Sequence, residues 1–262
     1  MQSSFDSSSS LVETLGDEPT VFAFKDRVRV WMELCALWVG VLVLIRMLVA
    51  AHKLFGVHEI ILGVVPLLFI YAPVWLSTLR KVDSYAYRLY VPGFTDLSAW
   101  MKAGTLTLRL NIYIWIWFIP LYWLYYTYGM PIIWGIESKS FIGTLPKELL
   151  LTVLYQIFYV ALPEEFFYRG YFQTRLNELY PRKWKLWGTN IGMGAVYANL
   201  FFAFGHSIVQ FQWWHFATFF PGMLFAWSRE KSNGVLAGAL FHACCNIGII
   251  CLDTAFGIRS PI

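Results

Sequence analysis

Residues 149–170 read LLLTVLYQIFYVALPEEFFYRG. Fourteen residues in which only Thr152 and Gln156 are strongly polar run straight into Pro163, Glu164, Glu165 and Arg169. The apolar stretch is of the length and composition that a bilayer accepts, since a spanning helix needs about 20 such residues. Three charges at its end would cost roughly 8–10 kcal/mol if they faced lipid, at about 2.5–3.5 kcal/mol each. They are therefore expected to face a protein interior or a wet cavity, unless the group is simply a helix end at the membrane surface with Arg169 as a flanking cation. Glu165 and Arg169 are four residues apart, share a helix face and can pair. Glu164 points about 100° away, so one glutamate is expected to be neutralised and the other free.

The remainder of the chain fits the same solvent. Of 262 residues, 58% are hydrophobic and only 14% are charged, against about 25% charged in soluble domains. Apolar segments fall at 31–51, 60–79, 110–128, 149–176, 188–208, 212–228 and 235–252. The expected fold is all-α, a polytopic transmembrane bundle of about seven helices. Residues 1–30 form an N-terminal tail, disordered over its Ser-, Asp- and Glu-rich first 20 residues, and residues 31–140 form the first transmembrane helices. The tail lacks the basic start and apolar core of a secretory signal, so the first apolar segment is expected to act as an uncleaved anchor. Pro221-Gly222 allows a kink in the sixth segment. Cys35, Cys244, Cys245 and Cys251 all lie in apolar runs and read as small buried hydrophobes rather than disulfide partners. There is no phosphate-binding loop or long basic tract, so no nucleic-acid partner is expected; the partner is the lipid bilayer.

Basic residues alternate between rich and poor connections. Lys25, Arg27 and Arg29 precede the first segment, Arg80, Lys81, Arg88, Lys102 and Arg109 lie in the connection after the second, and Arg175, Arg182, Lys183 and Lys185 follow the fourth. The positive-inside rule then places the N-terminus in the cytoplasm and the C-terminus outside.

Two further apolar segments carry polar groups at helical spacing. Residues 200–208, LFFAFGHSI, hold Phe202 and His206. Residues 235–250, VLAGALFHACCNIGII, hold His242 and Asn246. Singly, an intramembrane His or Asn serves as interhelical hydrogen-bonding glue. Together with the acids they are the parts of a hydrolytic site. A carboxylate takes a proton from water, an imidazole orients that water or supplies a leaving-group proton, and neutral donors hold an oxyanion. A transporter or ion-coupled channel would use the same buried charges, but no repeat with paired broken helices is present.

The set Glu164-Glu165-x-x-x-Arg169, Phe202-x-x-x-His206 and His242-x-x-x-Asn246 resembles the CAAX protease and bacteriocin-processing family of glutamic-type intramembrane endopeptidases. The likeness covers residues 145–252 and implies a protease core in the last four helices. It implies Glu164 as the general base with His206 as partner, His242 and Asn246 as the oxyanion site, and Glu165, Arg169 and Phe202 as supports. It implies a membrane-anchored or lipid-modified protein substrate and no cofactor. Zinc is the rival, since Glu and His are legitimate ligands, but no His-Glu-x-x-His motif is present. The stretches PEEFFYRGYFQTRL and HFATFFPGMLFAW look like the bacterial myxosortase branch, which implies a bacterial cytoplasmic membrane and exported sorting tails as substrates. His206, about 27 Å along an outward-running helix, draws the site towards the outer face. Trp213, Trp214 and His215 are candidates to line substrate access; an interfacial aromatic belt accounts for them equally.

Overall fold

The computed structural model describes residues 24–258 apart from Arg88, Tyr90 and Phe94. Residues 1–23, with most of the expected tail, lie outside the described residues. Seven helices dominate: α1 (Phe24–Phe55), α2 (Val64–Leu79), α3 (Leu97–Leu124), α4 (Leu149–Leu179), α5 (Met193–Gln210), α6 (Phe219–Ser232) and α7 (Leu236–Ala255). The architecture is an all-α membrane bundle. Four of its helices, α1, α2, α4 and α7, are long and apolar enough to cross a bilayer. Their outer faces carry rows such as Leu67, Tyr71 and Trp75 on α2, spaced one turn apart and exposed. Such rows suit contact with acyl chains rather than water.

Several boundaries differ from the sequence reading, each for a local reason. Helix α1 begins at Phe24, seven residues before the apolar segment, because a spanning helix continues past the hydrocarbon into its charged flank. Helix α3 begins at Leu97 rather than 110, where the Asp96 side chain accepts a hydrogen bond from the Ala99 amide at 3.0 Å. Lys102 and Arg109 are therefore helical, not loop. The fifth segment starts at Met193, because Thr189–Ile191 pairs with Trp184–Leu186 in a small antiparallel hairpin. Trp187 and Gly188 make its turn, both at positive φ, as a two-residue type I′ connection requires. The sixth segment splits into a 3-10 turn, Trp213–Thr218, and α6. Pro221 then sits in the first turn of α6, where a proline is tolerated, so it starts the helix rather than kinking it.

Prolines leave a different mark on two other helices. In α4 a π-helical segment, Gln156–Ala161, ends two residues before Pro163. Past α3, a π segment at Tyr125–Gly129 precedes Pro131. A proline ring clashes with the carbonyl four residues earlier; at these two positions a widened turn accommodates it, whereas Pro73 of α2 and Pro120 of α3 sit in continuous α-helix. A second π segment in α4, Phe166–Phe172, leaves the glutamates on a single α-helical turn, Leu162–Glu165, between two widened ones.

The helices are joined by a buried aromatic core and by side chains that reach across to main-chain carbonyls. Phe69 of α2 meets Phe167 of α4 edge-on at 5.1 Å between centroids. Trp38 of α1 donates to the Phe201 carbonyl of α5 at 3.1 Å, and Thr107 of α3 donates to the Ala237 carbonyl of α7 at 3.2 Å. Further along the same contact, the Trp115 ring lies against the bare Cα of Gly248. A methyl group at Gly248 would overlap that ring, whereas Gly104 of α3 has open space where a Cβ would go. Gly248→Ala is expected to destabilise the bundle by about 1–3 kcal/mol through overpacking. Gly104→Ala should leave stability unchanged or raise it by about 0.5–1 kcal/mol through reduced backbone entropy. Denaturant titration of both variants in detergent, against the parent, checks the pair.

Candidate active site

The site is assembled from α4, α5 and α7, with α6 behind it. Glu165 and Arg169 are fully buried, and Arg169 Nη1 lies 3.3 Å from Glu165 Oε1. The guanidinium has more partners than the sequence suggests. Its Nη2 donates to Asn199 Oδ1 of α5 at 3.1 Å and to the Gly222 carbonyl of α6 at 2.9 Å. Its plane lies 4.2 Å from the Phe202 ring centroid, a cation–π contact that strengthens when desolvated. Phe202 is thus a floor beneath the arginine as well as a neighbour of His206.

Glu165 has a second partner. Its Oε1 lies 3.2 Å from His242 Nδ1. An ionised carboxylate only accepts, so Nδ1 of His242 carries a proton. His206 is fixed in the same way: its Nδ1 lies 3.0 Å from the Phe202 main-chain oxygen, also a pure acceptor. Both imidazoles are therefore locked in one tautomer with Nε2 bare when neutral. Both Nε2 atoms face the same oxygen, Glu164 Oε2, at 3.8 Å from His206 and 3.9 Å from His242. These distances are too long for direct hydrogen bonds and suit a bridging donor such as water. Glu164 Oε2 is buried and has no direct hydrogen-bond partner, while its side chain as a whole is 15% exposed. Of the two glutamates, Glu165 is neutralised and Glu164 is left beside the imidazoles.

Asn246 lies one turn along α7 from His242, and its Nδ2 donates to Gln156 Oε1 of α4 at 2.9 Å. One amide hydrogen of Asn246 is thereby committed and the other is free. His215 bonds instead to Gln212, at 2.5 Å, and Trp213 is 80% exposed. The structure does not bond either to the acid cluster.

Sequence reasoning passed over Asn199, Gln156, Gly222 and Phe225. Asn199 is fully buried in α5, one α-helical turn from Phe202, and also donates to the Phe219 carbonyl at 2.7 Å. Phe225 stacks on His242, with centroids 4.6 Å apart and planes at 15°. Gly222 is where the α6 backbone comes closest: a Cβ there would strike Asn199 and stand 3.0 Å from Arg169 Nη2. The signals were an Asn inside an apolar helix and a Gly directly after Pro221.

Glu164, His206 and His242 are residue types that zinc binds, but bonds of about 2.0–2.1 Å in a tetrahedron put ligand atoms about 3.3 Å apart. The imidazoles would have to move about half an ångström closer to Glu164. Among the described residues, no group of three or more His, Cys, Asp or Glu has the geometry of a metal site.

The family model described as Type II CAAX prenyl endopeptidase Rce1-like matches residues 146–248. That span contains Gln156, both glutamates, Arg169, Asn199, Phe202, His206, Phe225, His242 and Asn246. The match supports the CAAX-protease resemblance. No curated protein and no solved structure matches the chain.

Removing one partner of a buried pair strands the other charge, at about 3–5 kcal/mol. Arg169→Ala is therefore expected to lower the melting temperature in detergent, and the double variant Glu165→Gln/Arg169→Gln should recover part of the loss. An unchanged melt for Arg169→Ala would mean that the arginine is solvated.

Proposed function

We propose that the protein is an intramembrane glutamic endopeptidase that cleaves near the C-terminus of membrane-associated substrate proteins. The observation that carries this reading is the convergence of His206 Nε2 and His242 Nε2 on Glu164 Oε2, inside the segment similar to CAAX endopeptidases. A water held between Glu164 and His206 gives its proton to the carboxylate, and the resulting hydroxide attacks the scissile carbonyl carbon. The free Nδ2–H of Asn246 donates to the oxyanion. His242 donates from Nε2 only when it carries both protons, with the Glu165 carboxylate balancing the charge. Collapse of the tetrahedral intermediate breaks the C–N bond, and the amine leaves with a proton returned from Glu164 or His242. No step requires a metal.

The narrower reading is that this is a bacterial cytoplasmic-membrane enzyme of the myxosortase branch, with its N-terminus in the cytoplasm, acting on exported sorting tails. The stretches at 163–176 and 215–227 support it. Cleavage of a reporter bearing a sorting tail, and not of one bearing a prenylated CAAX end, is the outcome expected; the reverse preference would leave the peptidase and remove the branch.

Glu164→Gln is expected to lower the cleavage rate by about 10²–10⁴-fold, the range for a general base, with an unchanged melt. EDTA and phenanthroline should leave the parent's rate intact. A folded Glu164→Gln protein that still cleaves at the parent rate would sink the proposal. Loss with chelator restored by zinc would replace the glutamic mechanism with a metal-dependent one. A transporter using the same charges would instead show Glu164-dependent flux in vesicles without cleavage.

A further inference from the structure

At the basic end of the bundle, the start of α1, the end of α2 and the end of α4 line an open cavity of about 370 Å³. Four cations line it, Arg29, Arg80, Lys81 and Arg175, against two carboxylates, Asp26 and Glu178. Glu33 of α1, beside the cavity, is committed to two of these cations. It pairs with Arg80, and its Oε1 lies 3.2 Å from Arg175 Nε. Arg175 also pairs with Glu178. Arg29 and Lys81, both exposed, have no side-chain hydrogen bond or ion pair with the other described residues.

Lys81 carries a second, independent mark. It follows the C-cap of α2 at φ 57°, and the Val82 amide reaches back to the Ser77 carbonyl at 3.0 Å while the Lys81 amide reaches Thr78 at 2.9 Å. This is the Schellman turn in which glycine is the usual residue, because an L-residue in the left-handed region is strained. A lysine here holds the left-handed conformation and lines the cavity. The position along the bundle agrees: the candidate spans begin at Lys25 and end at Leu79 and Leu179, so the cavity lies at the depth of lipid headgroups. Basic pockets between helices at such a level take phosphate-bearing headgroups.

We propose that this cavity binds the phosphate of an anionic lipid headgroup, with Lys81 and Arg29 as its free cations and Arg80 and Arg175 as a preorganised wall. The inference is independent of the peptidase reading.

The full chain in nanodiscs tests it, with melting temperature followed as the mole fraction of phosphatidylglycerol rises against phosphatidylcholine. The parent should be stabilised in a saturable way. Lys81→Gly is the discriminating variant. It should raise the melting temperature in pure phosphatidylcholine, because glycine relieves the turn, yet weaken the apparent affinity for phosphatidylglycerol about fivefold. Adding Arg29→Gln should bring the loss to about 25-fold. Glycerol phosphate in detergent separates the sources: a response only to the bilayer lipid assigns the headgroup, and a response to both assigns the phosphate alone, either one supporting the site. No preference for phosphatidylglycerol over phosphatidylcholine would overturn the proposal. So would an equal loss in Lys53→Gln/Lys139→Gln, at the opposite end of the bundle.

Discussion

The ion pair between Glu165 and Arg169 is the constraint around which the second half of the chain is arranged. Neither side chain touches solvent, so each charge must be met by protein or not be there. The guanidinium is met four times over: by Glu165, by Asn199 from α5, by the Gly222 carbonyl of α6 and by the face of Phe202. The carboxylate in turn holds His242 of α7. One buried cation therefore fixes the relative placement of four helices. The supporting layer extends outward, since Arg229 of α6 donates to the Arg169 main-chain oxygen at 3.2 Å and also bonds Thr174 and Glu230. Glu230 is itself held by Arg182 at 2.9 Å and Gln173 at 2.7 Å.

The two glutamates are chemically alike and adjacent, yet the fold gives them opposite situations. A 100° step round one helix turns Glu165 into the arginine and leaves Glu164 facing two imidazoles. The same pair of imidazoles is oriented from behind by two different acceptors, a carboxylate and a main-chain carbonyl. Orientation from behind matters in a hydrolytic site because it fixes which nitrogen meets the reacting atoms. It also makes Phe202 useful twice, through its ring to Arg169 and through its carbonyl to His206.

Much of this was legible in the sequence where it depended on a single helix. Spacings of four residues placed Glu165 with Arg169, Phe202 with His206 and His242 with Asn246, and apolar length indicated the membrane. What was not legible depended on neighbours. Asn199 and Gln156 look like isolated polar residues until α5 and α7 are packed against α4. The approach of Gly222 to Arg169 is a property of two backbones, not of one. Helix boundaries drifted wherever charge was taken as the end of a helix. Lys102 and Arg109 sit inside α3 because a helix emerging from hydrocarbon keeps its backbone hydrogen bonds in water as well as in lipid, and an Asp at position 96 was a better marker of its start.

Many of the joints between helices have a side chain on one side and a main-chain carbonyl on the other: Trp38 to Phe201, Arg46 to Val209 at 2.7 Å, Thr107 to Ala237, Arg169 to Gly222 and Gln173 to Ala226 at 3.0 Å. Every residue type supplies that carbonyl. The accepting position can therefore drift through evolution without breaking the hydrogen bond, provided the backbone stays where it is. Only the donor is under chemical constraint. Across relatives, these contacts would appear as one invariant column facing a variable one, and methods that look for pairs of positions changing together would pass over the very bonds that hold the helices in register.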